Sequence, residues 1–162
     1  MNNEPWIMKM TQQLVLEITE WMADIPLTCC PEPPPNMHKD KMDSILVCTG
    51  EEPKLFMQFR ADPKMLSRLA QRISGCDLKS KEEVEEYAIE YVNVLGGRFL
   101  SHGFSLWKEK PKYFFPEYET PPNITAVDEK AGAVSLFFLS ELRECAMFSW
   151  AVEKDEKDKG EK

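Results

Sequence analysis

The sequence contains few of the residues from which metal sites and disulfide frameworks are built. Its 162 residues include only two histidines and five cysteines. Cys29 and Cys30 are adjacent and the other three cysteines are scattered, so no C-x-x-C pair is present. Structural zinc sites need spaced ligands, and disulfide scaffolds need an even number of cysteines. We therefore expect no metal bound by this chain and interpret the cysteines as small apolar residues of the interior.

Long hydrophobic runs are also missing. Lys9, Glu17 and Glu20 interrupt the N-terminal segment, which leaves no apolar core for a signal peptide. No run reaches the roughly 20 apolar residues that span a bilayer. The net charge is -8 and the isoelectric point is about 4.9, so nucleic acid and anionic membranes would repel the protein. The sequence predicts a cytoplasmic protein that binds neither nucleic acid nor membrane.

Motifs of several common enzyme classes are absent as well. The sequence has no glycine-rich phosphate loop of the P-loop type. Neither His38 nor His102 belongs to a recognisable Ser-His-Asp or Cys-His arrangement for nucleophilic catalysis. Any catalysis by this chain therefore has to come from another kind of site.

The length and ordinary apolar content favour one compact domain over residues 1–152. Within it, residues 29–39 are dense in proline, which is unfavourable in helices and strands, and they predict an exposed loop. The tail, residues 153–162, mixes charges without apolar residues and is expected to be flexible.

The remaining segments predict alternating helices and strands. Apolar residues recur every three or four positions over residues 5–24, which predicts an amphipathic helix with the stripe Ile7, Met10, Leu14, Ile18, Trp21 and Ile25. Strands are expected at Ser44–Thr49, Lys54–Arg60, Ala133–Leu139 and Glu144–Val152, with a short one within residues 111–122. Asp62 and Gly75 bracket a second helix, and Ser80 with Glu83 has the form of a capping box that begins a third. Because strands joined by tight turns are antiparallel, we predict an α+β fold with helices packed on an antiparallel sheet.

The third helix, expected to end near residue 102, has an unusual polar face. At about 100° per residue, one side holds Val84, Ala88, Tyr91, Leu95 and Phe99, and the opposite side holds Glu86, Glu90, Asn93 and Gly97. A solvated helix commonly shows such a glutamate-lined face, and that is the simplest interpretation. However, asparagine is a mediocre helix former, and Gly96 and Gly97 cost about 1 kcal/mol each relative to alanine. An acid, an amide and a glycine about one turn apart would instead form a docking surface whose side chains can take part in a reaction.

Residues 90–97 resemble the E-x-x-N helix signature of the CheC/CheX/FliY chemotaxis phosphatases. In that family the pattern is Asp or Ser, three residues, Glu, two residues, Asn, twenty-two residues, Pro. Glu90 and Asn93 match, and twenty-two residues separate Asn93 from Pro116. The first position departs from the pattern, because Glu86 stands where the family has Asp or Ser. Only one such helix is present, so the resemblance is to the single-site CheX type and implies a CheC-like fold.

The resemblance also implies a function. The substrate would be the aspartyl phosphate of a CheY-like receiver domain of a response regulator, which supplies its own divalent metal, such as Mg²⁺, and a lysine. Asn93 would orient the attacking water, and Glu90 would pair with the receiver lysine. Glu86, Gly96 and Gly97 would bind the partner, and Pro116 belongs to the structural motif. The family further implies a homodimer and no cofactor in this chain.

Two other functions are compatible with the same residues. A non-catalytic module would use the fold and the polar helix face to bind a receiver or kinase domain without hydrolysis. A scaffolding domain would dimerise through a sheet edge, with the helix face incidental to its function. A receiver dephosphorylation assay separates the enzyme from both.

Overall fold

The computed structural model describes residues 5–49, 54–103 and 116–153. Its helices are α1 (Pro5–Ala23), α2 (Pro63–Ser74) and α3 (Lys81–Gly103). Its strands are β1 (Leu27–Cys30), β2 (Asp43–Cys48), β3 (Lys54–Ala61), β4 (Glu117–Glu119), β5 (Val134–Ser140) and β6 (Cys145–Glu153). Short 3₁₀ helices occupy Lys39–Lys41 and Val127–Glu129. The six strands form one antiparallel sheet in the order β1-β5-β6-β3-β2-β4. The predicted α+β class is confirmed.

Two predicted hairpins build the centre of the sheet. β2 pairs with β3 from Asp43 opposite Ala61 to Cys48 opposite Phe56. β5 pairs with β6, and the side chain of Ser140 stabilises the turn between them because its Oγ accepts hydrogen bonds from the backbone amides of Leu142 and Glu144. The predicted turn at residues 50–53 lies outside the described residues.

The three helices pack on one face of the sheet. Alternate strand residues such as Ile45, Met57, Phe59, Phe138 and Phe148 point into one buried apolar cluster with residues from all three helices. The alternation follows from the pleat, which sends successive side chains of a strand to opposite faces. This core fixes α3 against the sheet and leaves the other side of that helix outward.

The predicted loop at residues 29–39 is mostly exposed, but it begins at Pro31, and part of it packs against the face of the sheet opposite the helices. Cys29 and Cys30 belong to the edge strand β1 and pair with Phe138 and Phe137. The strand ends where Pro31 follows, since proline cannot donate to the ladder. Pro34 is buried. Further along, Met37 packs on a second apolar cluster of Met42, Cys145 and Met147, with Phe137 and Leu139 beside it.

Helix α1 has nearly the predicted bounds, and four residues of its predicted stripe, Ile7, Leu14, Ile18 and Ile25, are buried. Trp21, expected in the core, is 72% exposed. Three residues turn a helix by only about 300°, so the three-residue step from Ile18 to Trp21 places Trp21 at the edge of the buried side. Thr11 and Thr19 are buried instead, and their hydroxyls donate to the carbonyl oxygens four residues earlier, Ile7 O and Val15 O, each at 2.6 Å.

The cysteines also differ from expectation. All five are free, but only Cys145 is buried, while Cys76 is exposed and the others are half-buried. Cys29 and Cys30 lie in the edge strand β1, Cys48 lies at the end of β2, and Cys76 lies in the loop after α2. Burial raises the pKa of the Cys145 thiol to about 11, so that thiol is a poor nucleophile at neutral pH.

Three further expectations concern the C-terminal tail, the short strand before residue 122 and membrane-spanning helices. The predicted flexible tail lies outside the described residues beyond Glu153, which itself belongs to β6. The short strand expected within residues 111–122 is β4, Glu117–Glu119. Across the ranges that are described, none of the helices has the length and apolarity to cross a bilayer.

Candidate functional site

Helix α3 presents Glu86, Glu90, Asn93 and Gly97 on its outward side, and we name these four residues the α3 ridge. Glu86 and Glu90 are exposed, whereas Asn93 and Gly97 are half-buried. The opposite side is buried at Ala88, Tyr91, Leu95 and Phe99, as predicted, and also at Val92. Val84, expected in the core, is half-buried. Helical periodicity thus places the acid and the amide one turn apart on the same side.

The start of α3 is fixed by the predicted cap. The Oγ of Ser80 accepts a hydrogen bond from the backbone amide of Glu83 at 3.1 Å and donates to the Glu83 carboxylate at 3.0 Å. This pairing satisfies one of the amides that a helix leaves unpaired at its N-terminus. The cap sets where the helix begins and thereby the register of the ridge.

Tyr91 fixes the rotation of α3 from the buried side. Its hydroxyl lies 2.6 Å from the Oγ1 of Thr19 on α1. Since Thr19 has a single hydroxyl hydrogen and donates it to Val15 O, Tyr91 is the donor of this bond. Burial raises the pKa of Tyr91, so the phenol stays protonated. Phe59 of the sheet meets the Tyr91 ring edge-on, with centroids 5.1 Å apart.

The first half of α3 is strongly acidic. Residues 81–90 contain five glutamates and one lysine. Glu82, Glu83, Glu86 and Glu90 are all exposed, and Glu85 is half-buried. Such a surface attracts a basic partner and raises its association rate, an effect that salt screens.

Gly97 is the last residue of the ridge, and the space beside its Cα is open. Among the described residues, no atom outside the local helix lies within 4 Å of the position that a Cβ would occupy. Packing among the described residues therefore does not require glycine here, although glycine weakens a helix. A partner whose backbone approaches closely would require it.

The other two residues of the predicted site lie off the ridge. Gly96 is buried, because successive helical residues are about 100° apart. Pro116 is also buried and directly precedes β4, a strand that pairs with β2 near α3. The structure therefore brings together Glu86, Glu90, Asn93 and Gly97, and places Gly96 and Pro116 in the supporting framework.

Apolar residues beside the ridge were not part of the sequence prediction. Ile89, Val94 and Leu100 pack on the core with one side and remain half-buried. They give the acidic ridge an apolar border, which a protein partner could cover. The sequence could have indicated this border, because these residues lie about a quarter turn from the ridge, between the polar and the buried sides of the helix.

Among the described residues, no group of three or more His, Cys, Asp or Glu side chains is placed to hold a metal ion. The ridge carries a carboxylate, on Glu90, and a carboxamide, on Asn93. A carboxamide both donates and accepts hydrogen bonds without carrying charge. This chemistry can position a water or a polar group.

Comparison with known proteins identifies the fold. No family model matches the sequence, and no curated protein matches it. CheX of Borrelia burgdorferi, crystallised in a complex with CheY, BeF₃ and Mg²⁺, superposes with a TM-score of 0.68 at 13% identity, covering 91% of this chain and 97% of the other. CheX of Vibrio vulnificus gives 0.70 at 13% identity, covering 91% and 96%. FliY of Thermotoga maritima gives 0.59 at 13% identity, covering 96% and 93%. The chain therefore has the fold of the CheX, CheC-like and FliY proteins.

Proposed function

We propose that this protein is a CheX-type member of the CheC/CheX/FliY family. In this proposal it is a phosphatase that accelerates hydrolysis of the aspartyl phosphate on a CheY-like receiver, in chemotaxis or another two-component pathway. The observation that carries the proposal is the outward position of Glu90 and Asn93 on α3 in a chain with the CheX fold. The test is to measure the lifetime of phosphorylated receiver domains with and without the protein, and an unchanged lifetime for every receiver would refute the phosphatase function.

Asn93 would supply the catalytic group. Hydrolysis requires a water in line with the leaving acyl oxygen and compensation of charge on the phosphoryl oxygens. The receiver's own divalent metal and lysine would supply the compensation, so the phosphatase need only orient the water. A carboxamide can do this because it is uncharged, whereas a carboxylate would be repelled by the phosphoryl group.

Glu90 would fix the docking. It lies three residues before Asn93, so both side chains can enter one pocket of a partner. Its carboxylate is exposed and would pair with the receiver lysine. The neighbouring glutamates of α3 would steer the basic partner surface towards the ridge.

Replacing Glu90 by glutamine is expected to raise the KM for the phosphorylated receiver by about five- to tenfold, the usual effect of losing one interfacial charge pair. The kcat should change less, because Asn93 remains in place. The measurement is steady-state dephosphorylation at two salt concentrations, and the variant should depend less on salt. Glu20→Gln, an exposed glutamate on α1, is the matched control. An unchanged KM for Glu90→Gln would refute the lysine pairing.

Replacing Gly97 by alanine should separate stability from docking. The free protein should gain about 0.5–1 kcal/mol, since alanine is the better helix former and the added methyl meets open space. Affinity for the receiver should fall at least about fivefold, because the methyl would crowd a closely packed partner. Urea unfolding and receiver titration measure the two effects. Ser67→Ala on α2 is the control for helix propensity, and unchanged affinity for Gly97→Ala would contradict close approach at this position.

A non-catalytic receiver-binding domain is the second candidate, and Glu86 favours it. This residue stands where the family pattern has Asp or Ser, and its exposed carboxylate would add negative charge near the phosphoryl group. In that case the protein would bind phosphorylated receivers without shortening the lifetime of the phosphoryl group. Homodimer formation and the contribution of Gly96 to docking remain predictions.

A further inference from the structure

Arg98 is a positive charge on the outward surface of α3, whose first half is strongly acidic. Its side chain is exposed and directly follows Gly97 in the helix. Glu86, Glu90 and Val94 precede it at steps of four residues. Residues at such steps form a continuous row along a helix, and rows of this kind pack into the grooves of a partner helix. We name these four residues, Glu86 to Arg98, the Arg98 row.

The Arg98 row has a fixed order of charges. Its two glutamates are exposed, the valine is half-buried, and the arginine is exposed. A helix rises by 1.5 Å per residue, so Arg98 lies about 12 Å beyond Glu90 along the axis, with Val94 halfway between them. A complementary partner surface therefore carries a base, an apolar group and an acid in the same order.

The two usual reasons for an arginine on a solvated helix do not apply to Arg98. Ion pairs within a helix join residues three or four positions apart, and the residues at those positions are Val94, Leu95, Ser101 and His102, which include no acid. A cation also interacts favourably with the carbonyl end of a helix, but this effect is confined to the last turn. The basic residue of that turn is His102. Stabilisation of α3 as a helix thus does not explain the charge at residue 98.

Docking on the α3 ridge would cover Arg98. A partner that contacts Glu90 and comes close at Gly97 spans most of the distance between Glu90 and Arg98. The long arginine side chain, next to Gly97, would then lie against the same partner surface. Because a cation that is removed from water costs free energy unless it is paired, a tightly bound partner has to offer Arg98 an acid.

From these observations we infer that Arg98 determines partner specificity, and that the partner carries an acidic group about 12 Å from the base that pairs with Glu90. The inference rests on the proposed function in one respect, the docking of a receiver on the α3 ridge. It does not require hydrolysis, so a non-catalytic receiver-binding domain would use Arg98 in the same way.

The first experiment compares Arg98→Glu with Lys9→Glu. Lys9 is an exposed cation on α1, and both replacements change the net charge of the protein by the same amount. Calorimetry measures the affinity for receiver domains loaded with Mg²⁺ and BeF₃⁻, a stable mimic of the phosphoryl group. Arg98→Glu should weaken binding at least about tenfold, because it places like charges opposite each other. Lys9→Glu should stay within about twofold of the wild type, since distant exposed charges are screened.

Two outcomes of this comparison would overturn the inference. Wild-type affinity of Arg98→Glu would show that no acid of the partner meets this residue. Equal losses for the two variants would assign the effect to net charge and not to a local pair. Arg98→Met, which keeps an unbranched apolar side chain but lacks the charge, should lie between the wild type and Arg98→Glu.

A charge reversal on the receiver tests the acid itself. Exposed Asp and Glu residues that lie about 12 Å from the receiver lysine are replaced by lysine, one at a time. One of these replacements should weaken binding to the wild type and strengthen binding to Arg98→Glu at least about fivefold, as expected for two residues in contact. It should not strengthen binding to Lys9→Glu. Failure of every replacement to restore the affinity of Arg98→Glu would overturn the pairing.

This inference and the proposed function can fail separately. A wild-type protein that binds a receiver without shortening the lifetime of its phosphoryl group would refute the phosphatase function, and the comparison of Arg98→Glu with Lys9→Glu would still decide the role of Arg98. An active phosphatase whose Arg98→Glu variant binds normally would overturn only the role of Arg98. Absence of binding to every receiver would overturn both.

Discussion

Replacing Asn93 by alanine is expected to lower the acceleration of receiver dephosphorylation by about 100-fold, the usual effect of removing one positioning group at a reacting centre. Affinity for the receiver should remain within about twofold, because Glu90 and the acidic half of α3 persist and supply most of the docking. The free energy of unfolding should fall by no more than about 1.5 kcal/mol, since the loss of side-chain interactions of the half-buried Asn93 is offset in part by the better helix propensity of alanine. The loss should therefore appear in kcat and leave KM nearly unchanged.

The experiment compares dephosphorylation by wild type, Asn93→Ala and Asn93→Asp under single-turnover conditions. Asn93→Asp keeps the shape of the side chain but adds a charge, and we expect it to be as inactive as Asn93→Ala because the phosphoryl group repels a carboxylate. Gln13→Ala, which removes an exposed carboxamide from α1, is the matched control and should retain full activity. Normal acceleration by Asn93→Ala would remove the proposed catalyst.

Local sequence signals were sufficient to predict most helices and the central hairpins. Ser80 and Glu83 indicated the start of α3, and the structure places their side chains in contact. Gly75 ends α2 with a φ of 70°, a left-handed conformation that glycine adopts without strain. These features depend on neighbouring residues only, which is why the sequence reveals them.

Strand β1 could not be predicted in the same way. Its partner is β5, with Leu27 opposite Ser140, so the pairing depends on contacts distant in sequence. The prolines that follow Cys30 masked the strand signal. In α1, Thr11 and Thr19 are polar residues and were therefore not expected in the core. Each can be buried because its hydroxyl donates a hydrogen bond to a carbonyl oxygen of its own helix. Trp21 looked like a core residue because of its spacing alone.

The candidate site likewise has one part that local sequence patterns predict and another that depends on distant contacts. Helical periodicity alone predicted that Glu90 and Asn93 share one side of α3, since both lie on a single element. The openness at Gly97 depends on which other residues come near it, and no local pattern reports that. A cleft of about 310 Å³ on the face of the sheet opposite α3 was equally unpredictable, because Pro33, Asp128 and Met147, which line it, come from three distant segments.

The position of the ridge depends on how firmly the buried side of α3 is held. Tyr91 follows Glu90 directly and lies on nearly the opposite side of the helix from Asn93. It contacts α1 through Thr19 and the sheet through Phe59. Both contacts resist rotation of α3 about its axis, so the same residue that stabilises the core also orients the amide proposed for catalysis.

Replacing Tyr91 by alanine is therefore expected to lower the free energy of unfolding by about 3–5 kcal/mol, the range for deleting a large buried aromatic side chain. Tyr91→Phe should cost only about 1 kcal/mol, because it removes one hydrogen bond while Thr19 keeps its bond to Val15 O. Urea unfolding of both variants measures the difference. A cost below about 1.5 kcal/mol for Tyr91→Ala would contradict the packing role. Equal costs for the two variants would instead assign the stabilisation to the hydroxyl, and α3 would be held mainly by its bond to α1.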